Sequence, residues 1–316
     1  MTAVCQGTCV APGKVVVHSN LRPPTDATQS RPTLKPAANQ PVSGFIERPT
    51  ANRQPPPPIA SHTLYSILHT PFGYLSPMSD IATSAGKVRV LSREESFAEL
   101  ARRINDLAAR GPASVGLSGG STPKAFYAWV VRTGALTAEA IARIDWHVSD
   151  ERCVPLSSDD SNFGHAVRGM LDALGVPAAR RFPWPVELAP VQAAAAYEAG
   201  WAQRSPSKAF DLCVLGLGDD SHIASLWPKC PLIGQQTGPR FTATEWPGRG
   251  WRLTITEAGL AQCGAIVVLV GGAGKASALR EIACGEFAPK LHPGQVLRAH
   301  VSRVTWLADQ EAAAGL

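Results

Sequence analysis

From residue 87 onward the chain alternates, and that alternation restricts its fold more than any other feature. Short apolar runs are each followed by a turn and then by a segment of helical period. Lys87–Leu91 reads as a strand. Ser92 and Glu95 form a capping box, and Phe97, Leu100, Ala101, Ile104, Leu107 and Ala108 recur at helical spacing until Gly111-Pro112. Ala113–Leu117 predicts a buried strand, with a helix from Pro123 to Arg132 behind it. The same reasoning predicts strands over Ile144–Val148, Phe210–Leu217, Trp251–Ile255, Ala265–Val270 and Val301–Leu307. It predicts helices over Phe163–Leu174, Val191–Arg204, Glu257–Gln262 and Lys275–Cys284, and a short one at the end. Continuously apolar strands are covered on both faces. The expectation is therefore an α/β fold, a doubly wound, mostly parallel sheet with helices on both sides. Ligands of such sheets sit beyond the carboxyl ends of the strands, so the strand-to-helix turns are where chemistry is sought.

Residues 1–77 follow no such pattern. They hold 13 of the 27 prolines, including Pro55–Pro58, and none of the eight tryptophans. Six basic residues against two acidic ones give this stretch +4 of the chain's +5. Such a sequence buries too little apolar surface to offset its ordering entropy and is expected to be a disordered, Pro-rich extension. A transit peptide and a Pro-rich partner ligand are alternative readings. A third takes Met78 as the true start, because it opens the polar sequence Ser79–Ser84 just ahead of the first patterned strand. The domain would then be 78–316, and native protein beginning upstream of Ser79 would overturn that reading.

Charge and composition exclude two classes. The basic excess is confined to the extension and lacks interleaved aromatics, which argues against a nucleic-acid partner. No apolar run reaches the 18 residues of a membrane span. The seven cysteines form no C-x-x-C pair, and several sit in apolar runs such as Asp211–Leu215. Reduced, buried thiols in a cytoplasmic protein are expected rather than disulfides or a zinc site.

Four turns carry polar residues. In Leu117-Ser-Gly-Gly-Ser-Thr-Pro123, Gly119 and Gly120 let the backbone approach an anion, Ser118, Ser121 and Thr122 offer hydroxyls, and a helix begins behind them. The same residues would also make an ordinary capped turn. In Ser149-Asp-Glu-Arg-Cys-Val-Pro155, Arg152 could grip a phosphate with two nitrogens, or pair with Glu151 at the surface. The third turn, Leu215 to Pro228, approaches G-x-G-x-x-G, but Ser221 stands in the last glycine position and the dinucleotide reading is rejected. It leaves His222 two residues after Asp220: a base with a carboxylate to orient it, or a bystander. The fourth, Val270-Gly-Gly-Ala-Gly-Lys275, lacks two features of a nucleotide-binding loop, with Leu269 for its first glycine and Ala276 for its Ser/Thr. Lys275 remains an anion contact or a solvated lysine. All four turns are expected on one side of one sheet.

In this order the four turns resemble the 6-phosphogluconolactonase family and its wider relatives, the glucosamine-6-phosphate isomerases/deaminases. The resemblance is carried by Ser118–Pro123, Asp150–Pro155 with Asp160-Ser-Asn162, Gly216–Gly218 through His222 to Pro228, Arg252–Thr256, Gly271–Lys275 and Trp306–Asp309. Asp-Glu-Arg with the later Ser-Asn, and Ala224-Ser-Leu-Trp-Pro228, match the lactonase branch. The family's Asp-Gly-His-Thr reads Asp220-Ser221-His222-Ile223 here. The added Cβ at Ser221 disfavours a positive φ, so a shifted loop is the expectation, with activity retained.

The resemblance implies hydrolysis of 6-phospho-D-glucono-1,5-lactone to 6-phospho-D-gluconate, with no cofactor and no metal. His222 would be the general base and Asp220 its supporting carboxylate. Ser118, Gly119, Gly120, Ser121, Thr122, Arg152, Asn162 and Lys275 would bind the substrate and its phosphate. Backbone N–H groups near Gly119-Gly120 or in the His222 loop would hold the oxyanion. The small-molecule partner would be the sugar-phosphate lactone, with neither nucleic acid nor membrane involved. An isomerase/deaminase and a non-catalytic sugar-phosphate sensor are the alternatives.

Overall fold

A computed structural model describes residues 79–316; the Pro-rich extension and the reading of Met78 as the start lie outside the described residues. The polar segment after Met78 is a strand, β1 (Ser79–Thr83), which turns through Gly86 into β2 (Gly86–Val90). Helix α1 (Arg93–Arg110) begins at the expected capping box: the Ser92 hydroxyl accepts from the Glu95 N–H (3.2 Å) and the Glu95 carboxylate from the Ser92 N–H (2.8 Å). Its stripe Phe97, Leu100, Ala101, Ile104 and Ala108 is buried.

Next come β3 (Ala113–Leu117), α2 (Ser121–Thr133), α3 (Ala138–Arg143) and β4 (Ile144–Val148). Helix α2 starts two residues before Pro123, whose missing N–H is harmless in a first turn. The stretch expected to be a polar turn is β5 (Asp150–Arg152), and α4 (Asn162–Ala166) follows. α4 does not continue as a regular helix to Leu174. It passes into a π-helical turn over Val167–Leu171, where the Asp172 N–H reaches the Val167 carbonyl (3.0 Å).

The second half comprises α5 (Pro190–Arg204), β6 (Leu212–Gly216), β7 (Phe241–Trp246), β8 (Gly250–Ile255), α6 (Glu257–Ala261), β9 (Ala265–Val270), α7 (Ala276–Ala283) and β10 (Val304–Ala308). Lys275 belongs to a 3-10 turn before α7, and the last strand begins three residues later than expected because Pro293–His300 is also 3-10. The chain after β10 forms turns rather than a terminal helix.

The strands build a seven-stranded sheet in the order β1-β2-β10-β9-β6-β3-β4, parallel throughout except for the β1 edge. Its centre is the fully apolar pair β6 and β9, with Val214, Leu215, Ile266, Val267 and Val268 at most 1% exposed. The doubly wound, mostly parallel α/β architecture is as expected. A second sheet, β5-β8-β7, is antiparallel. Among the described residues no helix is long and apolar enough to cross a membrane. Of the five cysteines described, Cys213, Cys230 and Cys263 are buried, Cys153 is half-buried and Cys284 is exposed, so the expectation of buried thiols fails at Cys284.

Candidate active site

Strands β9, β6, β3 and β4 stand side by side, so the four polar segments leave adjacent strand ends and converge. They enclose a cavity of about 230 Å³, lined by Ser118, Gly119, Gly120, Ser121, Thr122, Arg152, Asn162, His222 and Lys275 among others. Every expected site residue is therefore gathered at it, except that Asp220 stands behind His222.

The β3 turn makes one wall. Gly120 has φ 95°, a conformation that favours glycine, and the Asn162 side chain occupies the space a Cβ on Gly119 would need. α2 opens with no side-chain cap and no acidic residue in its first turn, so its free N–H groups and positive dipole end face the cavity. The Tyr127 hydroxyl, donating to the Ser118 carbonyl (2.7 Å), fixes the turn from below.

Strand period explains the second wall. β5 pairs with β8 so that Asp150, Glu151 and Arg152 oppose Thr254, Leu253 and Arg252. Alternation sends Asp150 and Arg152 to the cavity and Glu151 into the protein. The alternative reading, a surface pair between Glu151 and Arg152, does not hold. The Glu151 carboxylate is fully buried and accepts from the main-chain N–H groups of Arg152 (2.8 Å), Asn162 (2.7 Å) and Phe163 (2.8 Å) and from the Ser161 hydroxyl (2.9 Å). Burial pushes its pKa up, against those four donors. Arg152 donates to the Asp160 carbonyl (2.5 Å). Asn162 donates its amide to the Asp150 carbonyl (2.9 Å), while its own Oδ1 is buried without a partner.

The β6 turn supplies the imidazole. Its Gly218 lies so close to His222 that a Cβ there would collide with the ring. His222 Nδ1 meets Asp220 Oδ1 at 2.5 Å, and the His222 N–H donates to the same oxygen (3.2 Å). The hydrogen bond from His222 holds the Asp220 carboxyl down at about 2. With Nδ1–H committed to Asp220, the Nε2 lone pair is left for a substrate. The Trp246 indole meets the His222 ring edge to face (5.1 Å, 80°) and stacks on Trp227 (4.8 Å). The Cβ of Ser221 does not keep the residue out of the positive-φ region. Ser221 keeps φ at 69°, held by its hydroxyl at His292 Nδ1 (3.3 Å) and by the Gly294 N–H on its carbonyl (2.9 Å). Tertiary contacts offset a local cost of about 1 kcal/mol.

In the β9 turn, Lys275, which lines the cavity, forms an ion pair with Asp219. Sequence reasoning missed Asp219, Trp246 and Asp150. Asp150 is buried, lines the cavity and accepts from the Ser225 hydroxyl (2.7 Å). Its two-residue spacing from Arg152 would have revealed it, had the segment been read as a strand.

An anion cradle opposite an imidazole–carboxylate pair, at the carboxyl ends of parallel strands, is the site of an α/β enzyme acting on a small anionic substrate. The family described as glucosamine-6-phosphate isomerases/6-phosphogluconolactonase matches residues 92–306, and the chain belongs to it. It is 37% identical over 216 residues to a 6-phosphogluconolactonase of Synechocystis sp., covering 66% of this chain and 87% of that one. To a 6-phosphogluconolactonase of Rhizobium meliloti it is 35% identical over 191 residues, covering 57% and 78%. In fold it is similar to a 6-phosphogluconolactonase from Trypanosoma cruzi, with a TM-score of 0.63 at 24% identity over 73% of this chain and 97% of that one.

Proposed function

We propose that the chain hydrolyses 6-phospho-D-glucono-1,5-lactone to 6-phospho-D-gluconate, the lactone-opening step of the oxidative pentose phosphate pathway, in the cytoplasm. The observation that carries this reading is the Asp220-bound His222 facing the first turn of α2, Arg152 and Lys275 across one small cavity. The phosphate rests against the α2 N–H groups, the hydroxyls of Ser118, Ser121 and Thr122, and the cations of Arg152 and Lys275. That fixes C1 near His222, far from the charged end. Nε2 takes a proton from water as its oxygen bonds to C1. The tetrahedral intermediate then collapses, the C1–O5 bond breaks, and the imidazolium returns the proton to the departing ring oxygen. Asp220 stabilises the imidazolium between these two transfers. The test is loss of freshly made lactone by the full chain, with the spontaneous rate subtracted. Acceleration proportional to enzyme supports the reading, and none from folded protein ends it.

The buried carboxylate of Asp150 favours one second reading. A carboxylate at the cavity wall is what a proton transfer between C1 and C2 of an amino-sugar phosphate requires, as in the isomerase/deaminase branch. Release of ammonia from glucosamine 6-phosphate separates the two.

Two further outcomes are expected. Arg152→Ala should raise KM about tenfold with a smaller change in kcat, because the guanidinium holds a group remote from the reacting bond. An unchanged KM would place the phosphate elsewhere. Asp220→Asn should lower kcat by at least about tenfold, through loss of the orienting carboxylate. The Asp220 pKa is depressed on folding, so its contribution to stability is present above about pH 4 and is lost as pH falls toward about 2. The difference in melting temperature between wild type and Asp220→Asn should close over that interval. A gap that stays constant to pH 2 would deny the Asp220–His222 pair a role in stability.

A further inference from the structure

Beside the cavity that holds His222 lies a second one, of about 500 Å³, which shares a single charged wall with it, Arg152. Arg249 and Arg252 complete a set of three guanidinium groups around this space. None of the three meets a carboxylate at ion-pair distance among the described residues. Each is instead held by a neutral group: Arg152 by the Asp160 carbonyl (2.5 Å), Arg252 by the Trp251 carbonyl (3.0 Å), and Arg249 by the face of Trp246 (4.7 Å). Burial and the nearby charge of Arg152 lower the pKa of Arg252, opposed by the carboxylate of Asp150, and Asp160 is the one acidic residue in the lining.

Other parts of the lining are apolar. Two of the large apolar side chains left exposed on the described surface, Leu188 (40%) and Trp251 (38%), line this same cavity. Three guanidinium groups lining one space with an exposed indole and a leucine match a ligand that is anionic at one end and flat and apolar at the other. The volume is that of a typical small-molecule site and exceeds what the first cavity offers.

We infer that this second cavity is a binding site for a nucleotide, its phosphates on Arg152, Arg249 and Arg252 and its base on Trp251 and Leu188. Occupancy there draws on the same guanidinium that faces the sugar phosphate, so the two ligands are coupled through Arg152. That coupling rests on the lactonase reading; binding itself does not.

The test is calorimetric titration of the full chain, using ADP as the probe. A titration with 6-phosphogluconate made first asks only whether the His222 cavity takes the sugar phosphate, so its failure counts against the lactonase reading alone. ADP is then titrated with and without that compound. We expect ADP to bind under both conditions, more weakly when 6-phosphogluconate is present, and about tenfold more weakly to Arg249→Ala and about threefold or more weakly to Trp251→Ala. Both side chains lie on the exposed β7–β8 hairpin, where substitution leaves the core intact. Pyrophosphate and adenosine should each bind less tightly than ADP. ADP that is displaced stoichiometrically by 6-phosphogluconate, or that binds both variants as tightly as wild type, overturns the site. Pyrophosphate binding as tightly as ADP, with Trp251→Ala silent, overturns its assignment to a nucleotide. Absence of ADP binding does the same.

Discussion

His222→Ala should lower kcat for lactone opening by about 10²–10⁴-fold, the range lost with a general base. The argument is geometric. Nδ1 is engaged by Asp220 and the indole of Trp246 fixes the ring edge on, so Nε2 is the base presented to the cavity. Removing the ring deletes the proton acceptor of the first step and the proton donor of the second. The phosphate contacts remain, so KM should move far less than kcat. The His222 side chain is 28% exposed on a surface loop, and its loss should leave the fold and melting temperature nearly unchanged. Measured as turnover above the spontaneous rate, near-normal kcat in a folded variant would remove His222 from the mechanism. Trp246→Ala provides a graded companion: the base survives but is less restrained, so a smaller fall in kcat is expected.

The second large effect falls on stability. Glu151→Ala should destabilise the protein by about 2–4 kcal/mol, because it strands three main-chain N–H groups and a hydroxyl in a buried setting. Two of those N–H groups, from Asn162 and Phe163, belong to the first turn of α4, where nothing in the helix can accept them. A fall in melting temperature of about 5–10 °C is the expected reading. Glu151→Gln keeps the shape but turns an –NH₂ toward donors, so it should recover little. Ser161→Ala removes one donor and leaves the carboxylate three, and should cost less than either. Because Glu151 aligns Arg152 and Asn162, the alanine variant should also lose affinity for the substrate. If Glu151→Ala melts within a degree or two of wild type, the carboxylate is not the staple described here.

These two sites were unequally legible in the sequence. His222 and Asp220 stand out because they are polar residues two positions apart on a turn after an apolar strand. The β3, β4 and β9 strands were readable to the residue, as short runs rich in apolar residues that end at turn signals, β9 being apolar throughout. β5 was not: Asp-Glu-Arg has no apolar rhythm, and its extended form is imposed by the ladder to β8 about a hundred residues away. β7 also escaped notice, because Phe241–Trp246 exposes and buries its residues without a period of two. The Asp219–Lys275 pair and the contact of Trp246 with His222 join distant segments, and no local pattern records them. Ser221 shows the opposite failure. Its local rule was sound, but contacts from His292 and Gly294 outweighed it.

Because β10 lies between β2 and β9, the sheet cannot close until the last strand of the chain has been made. A chain emerging from the ribosome can pair β3, β4, β6 and β9, and so assemble the four turns of the cavity, while the β1–β2 hairpin still has no place to dock. Val304–Ala308 then joins the two parts in one step, and the Trp306 indole donates to the Ala85 carbonyl (2.8 Å) across the seam. A chain cut short before Val304 would leave two bare parallel edges, on β2 and β9. Each is a template for strands of other chains, so aggregation rather than a merely loosened enzyme is the fate of such a fragment.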